Sequence, residues 1–88
     1  MSTTHQPSSL FEEIASFFAT GPSPQRILDF RPSQAAVERA SELLELKRAN
    51  MLDASTLDEL NQFEQAELLM RLVKARVRAN RQDSVPPR

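Results

Sequence analysis

The stretch that most limits how this chain can fold is Ala66 to Arg78, AELLMRLVKARVR. Apolar residues spread round most of a helix there and leave one polar stripe of Glu67, Arg71, Lys74 and Arg78. At 3.6 residues per turn, Leu68, Leu72, Ala75 and Ala79 form one ridge, while Ala66, Leu69, Met70, Val73 and Val77 form a second beside it. A lone small helix does not bury that much surface. Either the rest of the chain covers both ridges or another molecule does.

At 88 residues there is room for one small domain, and chains of this size bury only about 60% of their unfolded surface. The usual reinforcements are missing. Cysteine is absent and the single histidine, His5, sits in a polar head, MSTTHQPSS, so neither a disulfide nor an ordinary four-ligand zinc site is expected. Packing or oligomerisation has to supply the stability. The head has no basic n-region or apolar h-region, and no run approaches the roughly 20 apolar residues of a membrane span. No membrane partner is expected, and the expected location is cytoplasmic.

Charge is unevenly placed: residues 1–67 hold 11 acids and 5 bases, whereas 68–88 hold 6 bases and only Asp83. The chain reads as an acidic body with a basic end. Cations late in a helix complement its macrodipole by about 0.3–1 kcal/mol each, which accounts for Arg71, Lys74, Arg76, Arg78 and Arg81 without a ligand. The same five residues are the candidates for phosphate contacts, although the segment carries no aromatic to stack a base.

Four start signals and their stops divide the chain. Ser9, with Glu12 three residues on, has capping-box spacing and opens a helix running to about Thr20, where Gly21 and Pro22 end it. Its expected core face is Leu10, Phe11, Ile14, Phe17 and Phe18. Ser23 and Pro24 open a short helical turn over Gln25 to Phe30, with Ile27, Leu28 and Phe30 lying over the junction of the longer elements. After Pro32, Ser33 caps a third helix over about Gln34 to Asn50, with Ala36, Val37, Ala40, Leu43, Leu44 and Met51 on one face. A bend over Asn50 to Asp53 then leads into a long helix, capped by Asp53 or Ser55, from about Ala54 to Asn80, or about 40 Å.

That long helix carries a conflict. Leu57, Leu60 and Phe63 centre on one direction, yet the polar stripe of Glu67, Arg71, Lys74 and Arg78 continues along nearly the same direction. The apolar face therefore changes sides midway, so the second half faces something other than the third helix unless a kink near Glu64 to Ala66 redirects it. The expected fold is all-α: a small helical bundle of three helices plus a short helical turn, with a long C-terminal helix. Residues 1–8 form an unstructured head, 9–80 the single domain and 81–88 an unstructured tail.

No catalytic constellation stands out. The paired acids Glu12-Glu13 and Asp58-Glu59 are adjacent, so on a helix they point about 100° apart and do not share a substrate atom. Ser8, Ser9, Ser23, Ser33 and Ser55 are all explained as caps or turn formers. One glycine in the whole chain excludes a glycine-rich phosphate cradle. Enzymatic activity, a cofactor, a metal and a small-molecule substrate are therefore not expected.

The segments PSPQRILDFRPS, LLELKRAN and ELNQFEQAELLMRLVKAR, in this order, resemble a group of small helical bacterial proteins common in cyanobacteria, over roughly Leu10 to Arg78. The resemblance implies an antitoxin-like or accessory partner of a small nuclease. It departs from the group's pattern at Asp53-Ala54, in place of Thr-Pro, and at Leu69, in place of His.

Residue chemistry and resemblance lead to the same expectation, a non-enzymatic interaction module that binds a protein partner or itself, as a homodimer. The expected contact residues are Glu67, Leu68, Met70, Arg71, Leu72, Val73, Lys74, Ala75 and Val77, with methionine and leucine giving adaptable contacts and rim charges setting orientation. The alternative is a nucleic-acid-binding regulator using Arg71, Lys74, Arg76, Arg78 and Arg81. In the partner reading, Glu67 and Arg71 belong to a seam that sets register; in the plainer one they are an exposed i,i+4 pair.

Overall fold

Four helices make up residues 9–83, which the computed structural model describes with side chains as far as Arg81. They are α1 Leu10–Ala19, α2 Pro24–Asp29, α3 Gln34–Arg48 and α4 Ala54–Asp83. Among the described residues there is no strand, and no helix is long and apolar enough to cross a membrane. The fold is all-α, as expected. The head, residues 1–8, and residues 84–88 of the tail lie outside the described residues. Where the tail was expected to begin, at residue 81, α4 instead continues to Asp83.

The caps expected from sequence form. The hydroxyls of Ser9, Ser23 and Ser33 accept the amides of Glu12, Arg26 and Ala36 at 3.1, 3.2 and 3.1 Å. At the head of α4 the bonding is reciprocal: Asp53 Oδ1 accepts the Thr56 amide at 2.8 Å and Thr56 Oγ1 accepts the Asp53 amide at 2.9 Å. The Thr56 amide, and after it the Thr56 hydroxyl, holds the Asp53 carboxyl below its ordinary range. At the other end of α3, Asn50 takes a left-handed φ of 59°. Its amide donates to the Lys47 carbonyl at 3.0 Å and that of Met51 to Leu46 at 2.8 Å. This is the Schellman closure, which turns the chain back toward α4.

α1, α2 and α3 all pack on α4, and no other pair of helices makes comparable contact. Leu10 and Ile14 of α1 meet Ala66 and Met70 of α4 in a core joined by Phe18, Ile27, Phe30 and Phe63. The Phe17 ring lies 5.4 Å from Phe18 and 4.8 Å from Phe30, with the Arg26 guanidinium 5.9 Å from its centroid, which fixes the α1 to α2 corner. Glu13 of α1 accepts the Ser33 amide at 2.9 Å and the Ser33 hydroxyl at 2.5 Å. A carboxylate thus ties α1 to the positive end of α3.

Several expected core positions are solvent-facing. Val37, Leu44 and Met51 of the α3 region and Phe11 of α1 are exposed, while Ala36, Ala40, Leu43, Leu10 and Ile14 are buried. The cause is geometric. α3 packs on one neighbour only, so its buried stripe is narrow, and a residue one step away, 100° round the helix, falls outside it.

The conflict in α4 resolves without a break, since the helix runs uninterrupted through Glu64 to Ala66. Its covered residues include Thr56, Leu60, Phe63, Ala66, Met70, Val73 and Val77, buried or half-buried at steps of three or four that average 3.5. That 3.5-residue repeat drifts about 20° per heptad against 3.6 residues per turn. What reads in the sequence as a change of sides is therefore one slowly winding stripe, covered by α3 early and by α1 and α2 later. Leu57 stays exposed at its edge.

Arg39 clamps α3 to α4. Its Nε and Nη2 donate to the two carboxylate oxygens of Glu59 at 2.7 and 2.8 Å, and Nη1 reaches Glu42 at 2.9 Å. The hydrogen bonds from Arg39 hold the Glu59 carboxyl below its ordinary value. With the Arg39 and Glu59 side chains 37% and 40% exposed, solvent screening limits such a pair to ~0.5–1 kcal/mol. A folded-state pKa below the unfolded one means that this contribution is complete above the unfolded carboxylate value, about 4.5, and fades as pH falls through the folded one. Urea midpoints of wild type and Glu59→Gln should therefore differ at pH 7 and draw together as pH falls from the unfolded value, about 4.5, through the lower folded one. A difference that persists at low pH would show that the pair does not act through the carboxylate charge.

Candidate functional site

Because α1, α2 and α3 all lie on one stripe of α4, the opposite side of that helix is bare. Leu68 is two residues from both Ala66 and Met70, which places it about 160° round the helix from each. Leu68 and Leu72 are 49% and 56% exposed, against 5% for Met70. Leu69 and Ala75 are exposed beside them.

The strip of residues expected to face a partner therefore divides. Met70 belongs to the chain's own core, and Val73, Lys74 and Val77 are half-buried, so these four are not free contact residues. Glu67, Leu68, Arg71, Leu72 and Ala75 are exposed. Of the two ridges, one copy covers most of the second and none of the first.

The polar stripe divides too. Lys74 Nζ donates to the Phe30 carbonyl at 2.9 Å, at the C-terminal end of α2, and Arg81 Nη1 donates to Gln25 Oε1 at 3.0 Å. Both cations hold α2 on α4. Arg71, Arg76 and Arg78 are exposed. Glu67 and Arg71 do not form the expected i,i+4 pair: the ion pairs among the described residues are those of Arg39 with Glu42 and Glu59, and of Arg48 with Glu45. The two side chains instead stand with Lys74 round a shallow cavity of about 170 Å³ that Leu10, Phe30, Pro32 and Met70 also line. That is below the ~300 Å³ at which ordinary small-molecule sites begin.

The bare side has its own order, which the ridge description in the sequence misses. Asn61, Gln65, Leu68, Leu72, Ala75 and Ala79 follow one another at steps of four and three, and all are exposed. This is a second 3.5-residue seam, opposite the first. One edge carries Glu64, Arg71 and Arg78, and the other Gln62, Leu69 and Arg76, each row repeating every seven residues. The signal was present in the spacing, hidden because core and surface seams interleave in one apolar run. Compared with models of protein families, with curated proteins and with solved structures, the chain matches none.

Proposed function

We propose that this chain is a non-enzymatic protein–protein interaction module that associates through the bare side of α4, with Leu68 and Leu72 as its apolar centre and Leu69, Arg71 and Ala75 around them. One observation carries the reading: two leucines about half exposed on a helix face opposite everything that packs on that helix. A domain with eight buried residues among those described, three of them alanine, has little apolar surface to spare for solvent. The antitoxin-like or accessory partner role that the resemblance to small helical bacterial proteins implies fits a chain that works by being held against another protein.

Nucleic-acid binding through Arg71, Lys74, Arg76, Arg78 and Arg81 is less favoured. Lys74 and Arg81 already donate to the chain's own oxygens, which leaves three cations without such a tie. The test compares wild type with the double variant Leu68→Glu/Leu72→Glu, using the tagged chain in its source cells and scoring association after cross-linking. The variant is expected to keep its helical circular dichroism and to lose its partner. Apolar association holds as salt rises, whereas three phosphate contacts would weaken binding roughly 40-fold between 50 and 200 mM salt. Unchanged association of the variant, or that steep salt loss, would end the reading.

A further inference from the structure

The charge rows that border the bare seam identify its occupant. In two helices packed antiparallel, each edge row meets its own counterpart on the other helix; in a parallel pair, the two different rows meet. Along the seam from Asn61 to Ala79, parallel packing brings Arg71 against Arg76 of the second helix, like against like, and pairs no opposite charges. Antiparallel packing that seats Leu68 against Leu72 brings Glu64 beside Arg78 of the second helix, twice by symmetry, and Leu69 beside Leu69. The one like-charge contact is then Arg71 with its own counterpart, and Glu67 lies one turn from it on the same helix.

We propose that the partner is a second copy of this chain, laid antiparallel on the outer side of α4, with Leu68 against Leu72 at its centre and Glu64 paired with Arg78 across it. This inference rests on the interaction reading above and fixes its partner. The surface is isologous, the same patch on both copies, as two-fold symmetry requires. The seam from Asn61 to Ala79 is about 27 Å long. A single helix pair of that length lies at the small end of specific interfaces, so dissociation is expected on the order of 10 µM.

Charge reversal on the full chain tests the pairing by sedimentation across a concentration series. Glu64→Arg and Arg78→Glu are each expected to weaken the dimer about tenfold, and the double reversal to restore it to within about twofold. Glu64 and Arg78 lie about 21 Å apart along one helix, so rescue has to act between copies. Since the chain contains no cysteine, Gln65→Cys and Ala75→Cys report direction directly. The two variants mixed are expected to form the heterodisulfide, whereas a fast Gln65→Cys homodisulfide would mean parallel packing and overturn the proposal.

Absence of rescue by the double reversal would overturn it as well. A wild-type chain that stays monomeric up to about 1 mM would overturn the second copy while leaving the interaction reading intact, provided the Leu68→Glu/Leu72→Glu comparison still separates a different protein from the chain. If that comparison also shows no difference, both readings fail.

Discussion

Leu43→Ala should lose ~2–5 kcal/mol of folding stability, and its neighbour Leu44→Ala no more than about 1 kcal/mol. The two leucines are adjacent in α3, yet Leu43 is 0% exposed and Leu44 projects into solvent. Truncating Leu43 removes apolar atoms from the α3 to α4 interface and leaves a cavity that alanines at 36 and 40 cannot refill, since they add nothing beyond Cβ. In a domain this small, each kcal/mol moves the thermal midpoint by about 4–8 °C, so the difference is easily read in melts followed by circular dichroism. Equal losses for the two variants would mean that α3 is rotated about its axis from the position described.

Ala66→Glu should abolish cooperative folding, while Leu68→Glu leaves the melting of the single chain almost unchanged. Ala66 is fully buried where α4 meets Leu10 and Ile14 of α1. A glutamate there has to displace α1 and bring a carboxylate into an apolar contact, and an unpaired buried charge costs several kcal/mol. A core of this size rarely supplies more than about 3–5 kcal/mol in total. Leu68 faces away from every other helix, and leucine and glutamate have similar helix propensity, so the exchange is nearly neutral within one copy. The measurement is a urea titration of both variants, and a cooperative wild-type-like transition for Ala66→Glu would remove α1 from its assigned place.

The helix boundaries were legible because each has a local chemical cause. Ser9, Ser23, Ser33 and Asp53 announce starts through side-chain oxygens that reach an amide three residues on. Gly21 and Asn50, the two residues with positive φ among those described, mark stops. Such signals operate within one turn, and the sequence displays them whole. The last turn of α4, reaching Asp83, was missed because no stop residue marks it.

The faces were harder. Val37, Leu44 and Phe11 look like core by periodicity, and only the number of neighbours each helix acquires decides how wide its buried stripe is. In α4, a 3.5-residue seam and a 3.6-residue helix drift apart slowly enough that a plot on fixed angles shows a reversal where the structure has a continuous stripe. Lys74 was legible as a cation but not as a tether, because its acceptor, the Phe30 carbonyl, is 44 residues away in sequence. Arg39 with Glu59 and Glu13 with Ser33 were invisible for the same reason, each bond joining residues 20 apart. The candidate contact surface was half legible: the excess of apolar residues pointed to the right helix, and their partition into inner and outer seams required knowing which side α1 occupies.

One rod serves as the spine for every other helix and also offers its back to the outside. A molecule laid along that back would act as a splint, because straightening the outer seam would also hold the inner one in register for α1, α2 and α3. Capture and folding would then draw on a single free energy: each molecule held would make unfolding harder by the work needed to strip it off first. A chain with so thin an interior would be durable in company and short-lived alone.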